Sequence, residues 1–234
     1  MTVEYIIYIA TFVAIILAVY SQIRVSSTFN KYSGFITFEG KSGAEVARMM
    51  LDSKGLYHVR IERVAGHLSD HYDPRGEVLR LSDGVYDSAS VAAIGVATHE
   101  AGHAIQHSVG YFPLKLRSKL VPITGFASRF SWIIIFLGSL FMMLDGIIGY
   151  YVVLFGIALF AVTTLFQLIT LPCEFNASAR ALEALRETGY YTDKELSASR
   201  KVLSAAAFTY VAATLVSLLQ LLRLIIRFTG NRRR

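Results

Sequence analysis

Three long blocks with almost no charge constrain this sequence more than any other feature. Residues 5–23 carry no charged side chain, residues 130–173 carry only Asp145, and residues 203–222 carry none. A bilayer core about 30 Å thick is crossed by a helix of roughly 20 apolar residues. The middle block is long enough for two crossings joined by a turn at residues 144–149. The sequence therefore predicts four transmembrane helices.

The first apolar block predicts a retained membrane anchor. A cleaved signal peptide is an alternative, but Glu4 and no Lys or Arg precede the block, and no A-x-A cleavage site follows it. Both features are atypical of a signal peptide. The other alternative, a buried helix in a soluble protein, does not account for such length without charge.

The net charge of +6 indicates contact with lipid headgroups. Basic residues lie beside the apolar blocks, at Lys115, Arg117, Lys119 and in the tail at 231–234, where anionic headgroups attract them. No basic patch is interleaved with aromatic residues, so a nucleic-acid partner is not predicted. The single cysteine, Cys173, excludes an intrachain disulfide.

Two polar regions separate the apolar blocks, and only these can hold a water-exposed active site. No internal repeat or low-complexity run interrupts them. The predicted order is an anchor at 5–23, a polar region at 24–129, a two-span hairpin at 130–173, a polar helix at 174–202, a fourth apolar helix at 203–227 and a basic tail at 228–234.

The first polar region predicts a mixture of helices and strands. Ser42 and Glu45 form a capping-box pattern at the start of a helix that Gly55 is placed to end. Residues 59–64 and 78–81 predict two strands of a small antiparallel sheet. From about residue 88 an alanine-rich stretch without proline predicts a helix. In the second polar region a helix is predicted to start at Pro172 and to stop at Gly189.

The alanine-rich helix carries His99, Glu100 and His103 in the pattern H-E-x-x-H. Residues four apart lie on one helix face, about 6 Å apart along the axis, so two imidazoles can converge on one ion. Glu100 is rotated by about 100° from His99, which suits it to reach a metal-held water as a general base. The pattern therefore predicts a catalytic metal centre.

A third histidine on the same face, His107, is not predicted to be a ligand. It lies about 12 Å along the helix axis from His99, too far to share one zinc ion. A structural role or an exposed position is expected instead.

The residues around the motif argue against an ordinary polar helix face. They are mainly Ala, Gly, Val and Ile, so the His and Glu side chains sit in an apolar helix, where unpartnered polar groups are unfavourable. Gly102 in the middle of the helix destabilises it by about 1 kcal/mol relative to alanine. This predicts a close approach by another backbone or by substrate.

A catalytic zinc ion commonly has three protein ligands and one open position. The remaining histidines, His58, His67 and His71, lie upstream on or near the predicted strands. Glu174, at the head of the second polar helix, is the best distant candidate for the third ligand. The neighbouring Cys173 is the alternative.

Two segments carry a resemblance to a known family. The stretch SDHYDPRGEVLRLSDGVYDSASVAAIGVATHEAGHAIQH, together with LPCEFNASARAL, resembles the YugP-type family of bacterial membrane neutral zinc metallopeptidases. The segment after the hairpin also looks like the EF-x-A segment of HtpX-type membrane metallopeptidases. The resemblance covers most of the chain, from the anchor to the last apolar stretch.

This resemblance implies an α+β, zincin-like catalytic domain of the gluzincin type, built on membrane helices. It implies that His99, His103 and Glu174 bind one Zn²⁺ ion and that Glu100 is the base. On this interpretation residues 24–129 form the catalytic region and residues 174–202 complete it.

The sequence departs from the HtpX-type pattern four residues after Glu174, where Ser178 replaces an aspartate. Asn176 or Ser178 is expected to take over the support of a zinc ligand. Arg180 is expected either to stabilise an oxyanion or to face solvent and headgroups.

The segment at residues 70–74 has two interpretations. It is either a simple hydrogen-bonded turn or the source of a donor, His71 or Tyr72, to the developing oxyanion.

The predicted function is zinc-dependent hydrolysis of peptide bonds in membrane or membrane-proximal proteins. A membrane scaffold with a structural zinc and a zinc hydrolase of another substrate class are the alternatives. Glu100 argues against the scaffold, because a structural site needs no base. The strand at 78–81 is expected to be a sheet edge that pairs with an extended substrate.

The distribution of Lys and Arg predicts a cytoplasmic active site and an N-terminus outside. Basic residues flank the spans in the polar regions, whereas residues 1–4 and the hairpin turn contain none. Arg223, Arg227 and the tail disagree, since a fourth span places them outside. Either the last helix does not cross or the rule is overridden there.

Overall fold

The computed structural model describes the backbone of residues 2–230 and the side chains of residues 5–230. Of the basic tail predicted at 228–234, residues 231–234 lie outside the described residues. Seven helices and three strands follow one another along the described chain. They are α1 (Thr2–Ser33), α2 (Gly43–Ser53), β1 (Arg60–Val64), β2 (His71–Asp73), β3 (Val78–Ser82), α3 (Asp83–Tyr86), α4 (Val91–Ser108), α5 (Phe112–Phe141), α6 (Gly146–Glu187) and α7 (Asp193–Thr229).

Four of these helices, α1, α5, α6 and α7, are long and apolar enough to cross a bilayer, which agrees with the four predicted spans. Large apolar side chains such as Phe12, Ile133 and Phe136 are exposed on them. Such a surface suits lipid tails and is atypical of a soluble protein.

The chain forms two compact units. The helical unit contains the described parts of residues 1–20, 116–171 and 210–234, and the α+β unit contains residues 21–115 and 172–209.

In the helical unit, α5 and α6 form a hairpin whose turn is stabilised by its one charged residue. The Asp145 carboxylate accepts hydrogen bonds from the backbone N–H groups of Ile147 and Ile148, at 2.9 and 3.0 Å. These are donors that a helix start leaves without a partner, so Asp145 caps α6. Gly138 allows α5 and α6 to pack closely, because a Cβ at this position would lie 2.7 Å from the backbone nitrogen of Val153.

The C-terminal end of α7 lies beside the N-terminal part of α1 within the helical unit. The Arg223 guanidinium lies 5.2 Å from the centre of the Tyr8 ring, a cation–π contact. The C-terminal part of α7 and the N-terminal part of α1 therefore lie close together in the helical unit. By length and composition α7 can cross a bilayer, which is compatible with the second of the two predicted alternatives, a last helix that crosses.

In the α+β unit, the capping box at Ser42 and Glu45 forms as predicted, and Gly55 follows α2 with a positive φ of 72°. The two predicted strands are also present, as β1 and β3. Buried alanines of α4 pack against α2 and the sheet in the main core of the unit. These alanines are Ala92, Ala93, Ala97, Ala101 and Ala104.

The sheet differs from the predicted antiparallel pair. Its order is β1-β3-β2, with β1 parallel to β3 and β2 antiparallel to β3. The three-residue strand β2 was not predicted, and it accounts for the error. The chain reverses direction between β1 and β2 and again at the tight turn between β2 and β3. After two reversals β3 runs in the same direction as β1.

The prediction that residues 78–81 form a sheet edge is also wrong. β3 is hydrogen-bonded on both sides, and Val78, Leu79 and Leu81 are fully buried. The edge strands of the described sheet are β1 and β2. An extended substrate therefore cannot pair with β3.

No helix begins at Pro172, so the predicted start of the second polar helix is wrong. α6 continues through Pro172 from Gly146 to Glu187, and Gly189 follows it with a φ of 68°. Proline removes one helical hydrogen bond but does not by itself end a helix. Residues 193–202 of the predicted polar helix belong instead to the start of α7.

Candidate metal centre

Two helices bring three metal-binding side chains together in the α+β unit. α4 carries His99 and His103, and α6 carries Glu174. The Glu174 Oε2 atom lies 3.2 Å from His99 Nε2 and 3.6 Å from His103 Nε2. One ligand atom from each of the three residues lies within 4.8 Å of the others. This spacing allows all three atoms to contact one ion.

The donor set suits zinc. Two imidazole nitrogens and one carboxylate oxygen match a catalytic zinc site that keeps its fourth position open. Glu174 and His103 are buried, at 2% and 8% exposed, so a bound ion would be held largely out of water. Buried polar groups of this kind are unfavourable unless they are paired or coordinate a metal.

The other candidate ligands lie outside this cluster. Cys173 is fully buried and is not among the clustered residues. His58 lies near Glu77, and the His67 ring packs against Phe29. His107 contacts the Tyr72 hydroxyl and is not among the clustered residues.

Gly102 allows the two ligand-bearing helices to approach closely. A Cβ at this position would lie 2.7 Å from the Ala177 carbonyl oxygen and 3.2 Å from the Ala177 Cα. Ala177 follows Glu174 by about one turn of α6, so this contact sets the distance between Glu174 and the histidines. Of the two predicted explanations for Gly102, the approach of another backbone is the observed one.

Gly102→Ala is expected to weaken zinc binding by about tenfold or more. Overpacking of this kind is unfavourable by about 1–3 kcal/mol, and the strain is relieved by separating α4 from α6. Competition with a chelator measures the change in zinc affinity. Gly95→Ala is the matched control, because a Cβ there would meet no atom closer than 3.9 Å. Equal zinc affinity in the two variants would contradict the role of this contact.

Polar neighbours orient both histidine rings. Ser178 Oγ lies 3.1 Å from His99 Nδ1, so a hydroxyl occupies the position where the HtpX-type pattern has a carboxylate. Gln106 Oε1 lies 2.9 Å from His103 Nδ1. Asn176 contacts neither ring. Its Oδ1 accepts hydrogen bonds from Gln106 and from Arg180 Nε.

Gln106 is the residue of the site that the sequence analysis missed. Its spacing of three residues from His103 on one helix was a usable signal, because such residues are neighbours on a helix surface. The two residues predicted to support a zinc ligand, Asn176 and Ser178, both lie on α6 close to Glu174.

Glu100 lies beside the cluster, with its carboxylate towards β2. Its Oε2 atom accepts a hydrogen bond of 3.1 Å from the backbone N–H of Tyr72. Burial raises the pKa of the Glu100 carboxyl above its usual range, although the positive charges of His99 and His103 act in the opposite direction. A raised pKa brings a carboxyl closer to the range in which a general base works at neutral pH.

Tyr72 and His71 lie in different surroundings although they are adjacent. The Tyr72 hydroxyl lies 2.9 Å from His107 Nδ1, and burial raises the pKa of Tyr72 to about 12, so the hydroxyl stays protonated. His71 is exposed, and its Nδ1 atom lies 2.8 Å from the Ser69 carbonyl oxygen. The backbone N–H of Tyr72 thus contacts Glu100, while the hydroxyl of Tyr72 contacts His107.

Four apolar helices and an H-E-x-x-H helix with a carboxylate in reach define a membrane protein with a zinc-type candidate centre. The family model described as "Putative neutral zinc metallopeptidase" matches residues 7–229, nearly the whole chain, and this protein belongs to that family. A relative from Bacillus subtilis (strain 168), named "Putative membrane protease YugP", is 47% identical over 222 residues, which cover 95% of this chain and 96% of the relative. No solved structure matches the chain.

Proposed function

We propose that this protein is a membrane zinc metalloendopeptidase with a zincin-like catalytic domain. His99, His103 and Glu174 would hold one zinc ion, and Glu100 would act as the general base. The observation that carries the proposal is the convergence of three ligand atoms from α4 and α6. His99 and Glu174 are 75 residues apart in the sequence. Family membership and the relative's name support the same activity.

The chemistry follows from the positions of the side chains. Zinc held by these residues would supply a Lewis acid that polarises the scissile carbonyl and lowers the pKa of water to about 7. The Glu100 carboxylate, next to the ligand pair on α4, takes a proton from the attacking water and passes it to the leaving amine. The amide N–H of Tyr72 holds this carboxylate in place at 3.1 Å.

Activity on peptides distinguishes this function from its two alternatives. We expect the purified protein to contain zinc and to cleave casein or a peptide, and we expect a chelator to abolish cleavage until zinc is restored. Zinc without any hydrolysis would indicate a structural site in a membrane scaffold. Zinc-dependent hydrolysis of a lipid or another amide, without peptide cleavage, would indicate a different hydrolase.

Tyr72 is the proposed donor to the oxyanion. Its hydroxyl is protonated and half-buried, and its backbone already contacts the base. Tyr72→Phe is expected to lower kcat by about 10²-fold while zinc content stays unchanged, since one oxyanion donor contributes on this scale. Steady-state kinetics measure the effect, and His71→Ala is the control. Wild-type kcat in Tyr72→Phe would exclude this role.

The proposed substrates are membrane proteins or segments close to the bilayer. The candidate centre lies in a chain with four apolar helices, so the membrane limits which proteins can reach it. The proposed location is the cell membrane, with the active site facing the cytoplasm. The support for this orientation is the excess of Lys and Arg in the polar regions, near the ends of the spans.

Cysteine labelling tests this orientation. Cys173 is fully buried, so it is replaced by alanine, and single cysteines are introduced at the exposed residues Tyr57 and Leu144. A membrane-impermeant thiol reagent is expected to label Leu144→Cys in intact spheroplasts. It is expected to label Tyr57→Cys only after the membrane is opened. The reverse pattern would place the active site on the extracytoplasmic face.

A further inference from the structure

Gln106 is a polar side chain with no exposed surface, and its three hydrogen bonds link the two ligand-bearing helices. Its Nε2 atom donates to the Cys173 carbonyl oxygen at 2.8 Å and to Asn176 Oδ1 at 3.0 Å. Its Oε1 atom lies 2.9 Å from His103 Nδ1. The side chain therefore contacts one histidine of the candidate centre and the segment of α6 that carries Glu174.

The orientation of the Gln106 amide follows from its partners. A backbone carbonyl oxygen can only accept a hydrogen bond, so the group facing Cys173 must be the NH₂ of Gln106. The Arg180 guanidinium can only donate, so the Asn176 atom that it contacts is an oxygen as well. Both protons of the Gln106 NH₂ are thus used on α6, and the atom directed at His103 is the carbonyl oxygen.

An acceptor opposite Nδ1 favours the proton on that nitrogen of His103. When Nδ1 donates to Gln106, a neutral imidazole has its free lone pair on Nε2. This Nε2 is the nitrogen that lies 3.6 Å from Glu174 Oε2. We infer that Gln106 is a positioning residue that holds His103 in the Nδ1–H tautomer and thereby presents Nε2 to the metal. The inference rests on the proposed function for its role in zinc binding.

The two histidines differ in this respect. The partner of His99 Nδ1 is the Ser178 hydroxyl, which can either donate or accept. Ser178 alone therefore does not determine the tautomer of His99. The tautomer of His103 is determined, because the Cys173 carbonyl already fixes the orientation of the Gln106 amide.

The tautomer is measured by ¹⁵N-histidine NMR on the metal-free protein at alkaline pH, in a Glu174→Ala background that removes the acceptor 3.6 Å from His103 Nε2. His103→Asn assigns the His103 signals. In this background we expect the Nδ1–H tautomer when Gln106 is present and its loss in Gln106→Met, which keeps the volume but removes the acceptor. Asn176→Leu is expected to keep this tautomer, because the Cys173 carbonyl still orients the amide. A purely structural disturbance would not separate these two variants.

Zinc affinity provides the second measurement. Gln106→Met is expected to bind zinc about 10–100-fold more weakly than the wild type, as is usual when the hydrogen-bond partner of a ligating histidine is lost. Thr98→Val is the matched control, since Thr98 is also buried on α4 but its hydroxyl bonds only to the carbonyl oxygens of Ile94 and Gly95 in its own helix. Its zinc affinity is expected to stay unchanged.

The inference and the proposed function fail in different ways. In the Glu174→Ala background, an Nε2–H tautomer with Gln106 present, or an unchanged tautomer in a folded Gln106→Met protein, would overturn the role of Gln106. Equal zinc affinity of the wild type and Gln106→Met would overturn it as well. A wild-type protein that binds no zinc would instead refute the proposed function, while the NMR comparison would still decide whether Gln106 sets the tautomer.

Discussion

Glu174→Ala is expected to abolish both zinc binding and peptidase activity. Glu174 is the one carboxylate of the three-residue cluster, and its Oε2 atom lies within 3.6 Å of both imidazole Nε2 atoms. Its loss leaves two histidines, one ligand short of the three that a catalytic zinc usually has. Elemental analysis of the purified variant measures the zinc, and peptide cleavage measures the activity. His99→Ala and His103→Ala are expected to behave in the same way.

His107→Ala is the control for these variants. His107 stands on the same helix but contacts the Tyr72 hydroxyl and lies outside the cluster. We expect this variant to retain zinc. Loss of zinc from His107→Ala, or retention of one equivalent by Glu174→Ala, would show that the ligand set is assigned incorrectly.

Glu100→Gln is expected to lower peptide cleavage by about 10² or more, the scale of a lost general base. Glutamine keeps the volume of the side chain but cannot take a proton from water. Zinc is expected to stay near one equivalent, because Glu100 is not among the clustered ligand residues. Measuring both kcat and zinc content in this variant and in the wild type therefore separates loss of the base from loss of the metal.

Two outcomes for Glu100→Gln would contradict its role as the base. Cleavage at the wild-type rate by Glu100→Gln would show that another group activates the water. Zinc loss together with activity loss would instead place Glu100 among the metal ligands. The scaffold alternative predicts no cleavage by either protein.

The membrane helices and the H-E-x-x-H helix could be predicted from the sequence because their signals are local. An uncharged run of about 20 residues specifies a span by its length alone. The spacing of His99 and His103 places both rings on one face of α4 by helix geometry. Neither inference depends on which distant segments meet.

The meeting of α4 and α6 could not be derived from local patterns. Glu174 lies 75 residues beyond His99. Its assignment as a ligand came from the resemblance to a known family. Gly102 gave an indirect sign of the contact, since a glycine in the middle of a helix is unfavourable without a reason such as the Ala177 backbone.

The sheet was predicted incorrectly because its smallest element carries almost no signal. β2 has three residues, too few for an alternating pattern, yet it determines the direction of β1 relative to β3. The same strand places Tyr72 beside Glu100. A short strand without periodicity thus contributes both to the sheet topology and to the candidate centre.

X-ray absorption at the zinc K edge of the purified wild-type protein tests the ligand assignment most directly. The proposed site predicts only nitrogen and oxygen atoms in the first shell, at about 2.0–2.2 Å, with the outer-shell scattering of two imidazoles. A sulfur atom at about 2.3 Å would place Cys173 on the metal in the position assigned to Glu174. That result, or a folded protein without zinc, would contradict the account.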